Sequence, residues 1–215
     1  MNTHRSFLFI ALLSLMGLNA QYSEEDWKER DEWMKTEALL QLAKLSEGDR
    51  VADIGCHEGY LSIHLAKKVK NGRVYAVDVR EDRLKTLREN ASDRNLKNII
   101  TILGDYDDPK LPERELDMVF VIDTYHEMGS HEKMLRLIRR SLKPGGKIMI
   151  LEKLKEWVRG KSREEQVSSH SLGPEYVRKE LKQAGFTIIS EIEDHGKWER
   201  EDNKQMWVIV AQKAP

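Results

Sequence analysis

The sequence predicts one doubly wound α/β domain built on a mostly parallel sheet, and three observations carry that reading. Short apolar runs with strand character alternate with helix patterns along most of the chain. A chain of 215 residues with 40% hydrophobic content is long enough to bury one sizeable core. A loop with two glycines, Asp53-Ile54-Gly55-Cys56-His57-Glu58-Gly59, leaves the first strand pattern and opens a helix, so the backbone there can approach a ligand closely.

The chain begins with a pattern distinct from the domain. Arg5 precedes an almost purely apolar run, Phe7 to Leu18, and Leu18-Asn19-Ala20 leads into Gln21. These are the n-, h- and c-regions of a signal peptide, which predicts residues 1–20 as a leader and an exported chain after cleavage near Ala20. The run is too short for an ordinary membrane span, and an uncleaved N-terminal anchor is the alternative. No cysteine follows it, which excludes a lipoprotein anchor; the sole cysteine, Cys56, has no internal disulfide partner.

Residues 21–46 form a helical segment ahead of the domain at 47–215. Ser23 is a plausible cap, and Trp27, Met34, Leu39, Leu42 and Leu45 are spaced as one apolar face of a helix from Ser23 to Leu45. Trp27 or Trp33 either lines a substrate side or packs on the sheet. Val51 to Ile54 is then the first strand, Tyr60 to Lys67 a helix, and Val74 to Val79 a second strand carrying Asp78 about twenty residues after the glycine loop. Arg83 to Ser92 reads as a helix, Ile99 to Leu103 and Leu116 to Ile122 as strands, and His131 to Ser141 as a helix with Met134, Leu135, Leu137 and Ile138 on its apolar side. Leu142 to Lys147, containing Pro144-Gly145-Gly146, reads as a turn into the strand Ile148 to Leu151. A long charged connection, Lys153 to Gly173, precedes a helix from Pro174 to Ala184 with proline in its first turn and Gly185 as its stop. Phe186 to Ile192 and Met206 to Ala211 are the last strands.

The glycine loop departs from the dinucleotide pattern GxGxxG, and Glu58 beside the helix start disfavours a phosphate. Taken with the landmarks that follow, it resembles motif I of the class I S-adenosylmethionine-dependent methyltransferases, over roughly Glu37 to Gln212. Those landmarks are Asp78 at the end of the second strand, Gly104-Asp105-Tyr106, Asp123-Thr124-Tyr125-His126-Glu127 and Leu142-Lys143-Pro144-Gly145-Gly146-Lys147. The resemblance implies a single-domain Rossmann-like sheet of seven strands, helices on both faces, and one antiparallel strand at its end. It implies S-adenosyl-L-methionine as cofactor, with Asp53, Gly55, Cys56, Gly59, Asp78, Val79, Asp105, Tyr106 and Asp123 around it. Asp78 is expected on the ribose, Asp105 at the adenine amino group, Tyr106 near the base and Asp123 near the methionine amino group.

Chemistry is expected just beyond the fourth strand. Methyl transfer needs an in-line nucleophile and a base where the acceptor must lose a proton. His126 is the first base candidate because its ordinary pKa lies near neutrality. Glu127 either polarises it or acts alone, and Tyr125 is a candidate to orient the acceptor. His170 is a second base candidate, and His57 is expected to shape its own turn. Asp123 and Glu152 stand roughly where some related O-methyltransferases hold magnesium, but the accompanying Asp/Asn pair is not visible, so no metal is expected.

A formal net charge of -1 gives no basic stripe and hence no reason to expect nucleic acid. No integral membrane domain is predicted. Compact length favours transfer to a small-molecule or lipid-like acceptor. A protein-modifying methyltransferase and a catalytically silent nucleoside-binding module are the alternatives.

Overall fold

The strand that carries Asp53 lies third from one edge of a seven-stranded sheet, and the chain winds outward from it in both directions. The structure, a computed structural model, describes residues 24–214. The predicted leader and the Ser23 cap lie outside those residues. The strands are β1 (Arg50–Ile54), β2 (Arg73–Asp78), β3 (Ile99–Leu103), β4 (Leu116–Ile122), β5 (Leu142–Lys155), β6 (Phe186–Lys197) and β7 (Lys204–Lys213). Their spatial order is β3-β2-β1-β4-β5-β7-β6, with β7 antiparallel to both of its neighbours. The remaining pairings are parallel, as the resemblance implies.

Helices cover both faces because the strands alternate two apolar sets. Along β4, Val119 and Val121 face one core while Met118, Phe120 and Ile122 face the other. The first core receives Leu135 and Ile138 of α5 (His131–Ser141) and Val177 and Leu181 of α7 (Pro174–Gln183). The second receives Trp27 of α1 (Glu24–Trp33), Leu39 and Leu40 of α2 (Thr36–Ala43), and Ile63 and Leu65 of α3 (Tyr60–Lys68). Leu84 and Leu87 of α4 (Glu81–Asp93) pack on Ala76 of β2.

Three elements differ from the sequence reading. The helix expected from Ser23 to Leu45 is broken at Lys35, whose φ is 49°. The break leaves the Met34 carbonyl without an onward helical partner, and it accepts a hydrogen bond from His195 Nε2 at 2.9 Å. Trp33 is thereby free to pack edge-on against Trp198, with ring centroids 4.6 Å apart. The Pro-Gly-Gly segment is not a free turn but an irregular stretch inside β5: Leu142 pairs with Leu116 and Lys147 with Met118, so Pro144-Gly145-Gly146 bulges. Finally, the long connection after β5 contains structure of its own, α6 (Arg163–Ser168), started by a capping box between Ser162 and Glu165.

Candidate functional site

β1 has β2 on one side and β4 on the other, so the chain leaves it in opposite directions and a crevice opens at the carboxyl ends of these strands. A cavity of about 300 Å³ occupies that crevice, lined by Gly55, Val77, Asp78, Val79, Asp105, Tyr106, Thr124, Glu127, Met128 and Met134 among others. Its floor is the glycine loop, whose Gly55 and Cys56 amides both donate to the Val77 carbonyl, at 2.8 and 3.0 Å. Gly55 has a φ of 78°, and a Cβ placed there would stand 2.2 Å from Thr124 Oγ1. The position therefore excludes a side chain on both counts.

Asp78 sits on the opposite wall. Its Oδ2 accepts the His57 amide at 2.9 Å and its Oδ1 the Arg80 amide at 3.0 Å, which fixes the carboxylate while leaving each oxygen a further lone pair. His57 thus shapes the turn through its backbone, as expected of it. Asp105 lies at the rim, ion-paired with Lys110 at 3.0 Å, and Tyr106 stands 80% exposed over the opening. Val79 is the other exposed apolar residue on this rim.

Other residues expected at the cofactor sit beneath the cavity or away from it. Asp53 is buried and accepts a hydrogen bond from Ser62 Oγ at 2.6 Å. Burial pushes its carboxyl up to about 6, against the Ser62 contact. Cys56 is buried, and burial raises its thiol well above the ordinary range. Gly59, with a φ of 94°, begins α3, and a Cβ there would meet Leu87 Cγ at 2.6 Å, so this glycine serves helix packing. Asp123 is ion-paired with Lys153 and is not among the residues lining the cavity. The charge of Glu58 is met by Arg83.

The three reaction-facing candidates separate. Tyr125 is fully buried and its hydroxyl donates to Glu180 Oε2 at 2.8 Å, inside the core beside α7; it is not placed to orient an acceptor. Met128 and Met134 line the cavity instead. His126 is buried, with Nδ1 held 2.9 Å from both oxygens of Glu152 and its backbone amide 3.0 Å from one of them. Burial opposes its charge, but the Glu152 contact and the Asp123 charge outweigh that and raise its pKa above the ordinary histidine value. Nε2 of the same ring lies 3.0 Å from Glu127 Oε1, on the cavity side. His170, from the long connection, brings its Nδ1 to 2.9 Å from that same oxygen.

Glu152 as the buried partner of His126 had no signal in the sequence, because a strand-end acid gives no indication of which loop it will meet. Thr124, Met128 and Met134 were equally silent as cavity residues. A second cavity of about 260 Å³ lies beneath α1, lined by Trp27, Arg30, Trp33, Tyr60 and Trp198, and it shares His57 with the first. Trp27 is nonetheless a core residue, edge-on to Tyr60 at 5.7 Å.

The methyltransferase domain family matches residues 45–201. Among curated proteins, the chain is 31% identical over 117 residues to (S)-coclaurine N-methyltransferase of Thalictrum flavum, covering 53% of this chain and 32% of that protein. It is 28% identical over 115 residues to the ubiquinone/menaquinone biosynthesis C-methyltransferase of Azotobacter vinelandii, covering 53% and 46%. The matched stretch thus spans half or less of these relatives' length. The fold is similar to that of a SAM-dependent methyltransferase from Aquifex aeolicus, with a TM-score of 0.72 and 24% identity over 89% of this chain and 99% of that one. It is also similar to Haemonchus contortus phosphoethanolamine N-methyltransferase 2 in complex with S-adenosyl-L-methionine, with a TM-score of 0.70 and 18% identity over 92% and 59%.

Proposed function

The chain belongs to the methyltransferase domain family, and from that premise we propose that it transfers the methyl group of S-adenosyl-L-methionine to a small-molecule acceptor. One observation carries the reading: the switch-point cavity combines a glycine that tolerates no Cβ with a fixed carboxylate on the facing strand. Asp78 offers two oxygens, already oriented by backbone amides, to a pair of vicinal ribose hydroxyls. The exposed faces of Val79 and Tyr106 give a purine base apolar surface to cover. These features fit the nucleoside part of the cofactor. Two relatives named for coclaurine and for quinone biosynthesis support a small acceptor.

S-adenosylmethionine supplies a methyl group on a sulfonium, open to displacement by an in-line nucleophile. The chain's contribution is position and proton handling. Met128 and Met134 dry the cavity wall, and Glu127 Oε1 is the oxygen at the rim that receives a proton from an acceptor that must lose one. His126 Nε2 holds that oxygen, and Glu152 holds His126. His126 therefore acts by orienting Glu127 and by stabilising its charge. The segment at 21–46 acts as a lid on the acceptor side through α1, which walls the neighbouring cavity.

Incubation of the purified chain with methyl-labelled S-adenosylmethionine and a mixed panel of phenols, quinols and amines tests the activity. Label is expected in the low-mass fraction. Label appearing only in added protein, or nowhere, contradicts the proposal.

The reading includes export. The n-, h- and c-regions of residues 1–20 motivate it, and a mature mass beginning at Gln21 in an extracytoplasmic fraction is expected. A chain beginning at Met1 and confined to the cytoplasm overturns it.

A further inference from the structure

We propose that His126 Nε2, Glu127 and His170 Nδ1 form a binding site for a divalent first-row transition-metal ion of the zinc class. The three donor atoms lie within 4.8 Å of one another. Two imidazole nitrogens from different segments converge on one carboxylate oxygen, at 3.0 and 2.9 Å. A tetrahedral zinc centre with bonds of about 2.0 Å sets its donors about 3.3 Å apart, so small side-chain rotations suffice. The rings of His126 and His170 meet edge to face, with centroids 5.9 Å apart and planes at 86°, which turns their nitrogens toward a common point instead of stacking them.

Glu152 supplies the second observation. Fully buried, it places both oxygens 2.9 Å from His126 Nδ1 and also accepts the His126 amide. The Glu152 carboxylate fixes a proton on His126 Nδ1, orients the ring and leaves Nε2 as the ligand nitrogen, which is the outer-shell arrangement of metal-bound histidines. His170 adds a third. It is a non-glycine residue with a φ of 49°, held by its amide to the Val167 carbonyl at 2.9 Å, and that unusual backbone aims its ring at Glu127.

Charge selects this set over its neighbour. Asp123, His126 and Glu152 also approach one another, but Asp123 already has the Lys153 ammonium as its cation. Among the described residues, the ion pairs of Glu127 are with the two histidines alone. Asp123 is paired with the Lys153 ammonium, which leaves Glu127 and Glu152, among the described residues, ion-paired with histidines alone, so a dication can take the place of imidazole protons here. Two histidines and one carboxylate leave a fourth position open, and Glu127 and His170, with side chains 56% and 69% exposed, leave it facing solvent and the cavity. An ion there would take the place of the proton shared by His126 and Glu127. Its use as an anchor for the acceptor rests on the methyl-transfer reading; the site itself does not. The magnesium position weighed from the sequence involved Asp123 and Glu152, not these ligands.

The test is calorimetric titration of the untagged, chelator-stripped chain with zinc chloride, repeated with cobalt(II) and read by its visible absorption. One equivalent of zinc is expected, with affinity falling at least about tenfold in His170→Ala and in Glu127→Gln and staying unchanged in the control His64→Gln. Both altered side chains are exposed, so these variants fold. S-adenosylhomocysteine affinity measured on the same samples is expected to persist in His170→Ala, which separates loss of metal from loss of the cofactor cavity. A wild-type chain that binds zinc but not S-adenosylhomocysteine supports the metal site and defeats the methyl-transfer reading. Absence of stoichiometric zinc binding, or wild-type affinity in both ligand variants, overturns the site.

Discussion

Glu152 meets His126 with both carboxylate oxygens at 2.9 Å from Nδ1, and neither side chain has appreciable exposure. The pair joins the end of β5 to the turn after β4. It fixes the segment that carries Glu127 to the cavity rim.

Removing one partner of such a buried pair leaves the other desolvated and unsatisfied. Glu152→Ala is expected to lower unfolding free energy by about 3 to 5 kcal/mol in metal-free buffer. Glu152→Gln keeps one acceptor oxygen and should cost less. Urea denaturation of the three proteins checks the order, and an alanine variant as stable as wild type would remove the pair from any structural role.

Asp53 predicts a pH dependence. Its folded pKa of about 6 lies above the ordinary 3.8 because burial disfavours the charge, so the native state holds this proton more tightly than the unfolded chain. The associated stability is fully present below pH 3.8 and is lost as pH rises through about 6. Relative to Asp53→Asn, wild type should lose about 2.4 kcal/mol between pH 4 and pH 7 and almost nothing further above that. A difference that stays flat across this interval contradicts the assignment.

Gly55→Ala puts a methyl group against Thr124 Oγ1 on backbone with a φ of 78°. The left-handed backbone alone costs about 1 to 2 kcal/mol, and the clash adds to it. Thermal denaturation should register the loss, and S-adenosylhomocysteine binding should fall with it because Thr124 borders the cavity. Full stability and full affinity in this variant would show that the loop has room to spare.

The individual strands and the glycine loop were legible because their signals are local. An apolar run, a positive-φ glycine and an acid at a strand end each announce themselves within a few residues, and Gly55 and Asp78 do line the cavity. Tyr125 was misjudged for the complementary reason. Whether a side chain after a strand faces cavity or core depends on the helix above it, and here Glu180 of α7, fifty-five residues away, draws the hydroxyl inward. The break at Lys35 was equally hidden, since the group that meets the Met34 carbonyl there, His195, comes from the far end of the chain. Two of the residues that meet His126, Glu152 and His170, come from β5 and from the connection after it, so no spacing rule could bring them together.

Asp78 bears most directly on the central claim that this cavity holds S-adenosylmethionine through its ribose. Calorimetric titration of S-adenosylhomocysteine into wild type and Asp78→Ala, side by side, is the decisive measurement. Saturable binding to wild type is expected, weakened in the variant by about 1.5 to 3 kcal/mol for the lost charged acceptor. No binding to wild type, or undiminished affinity in a folded Asp78→Ala protein, would contradict it.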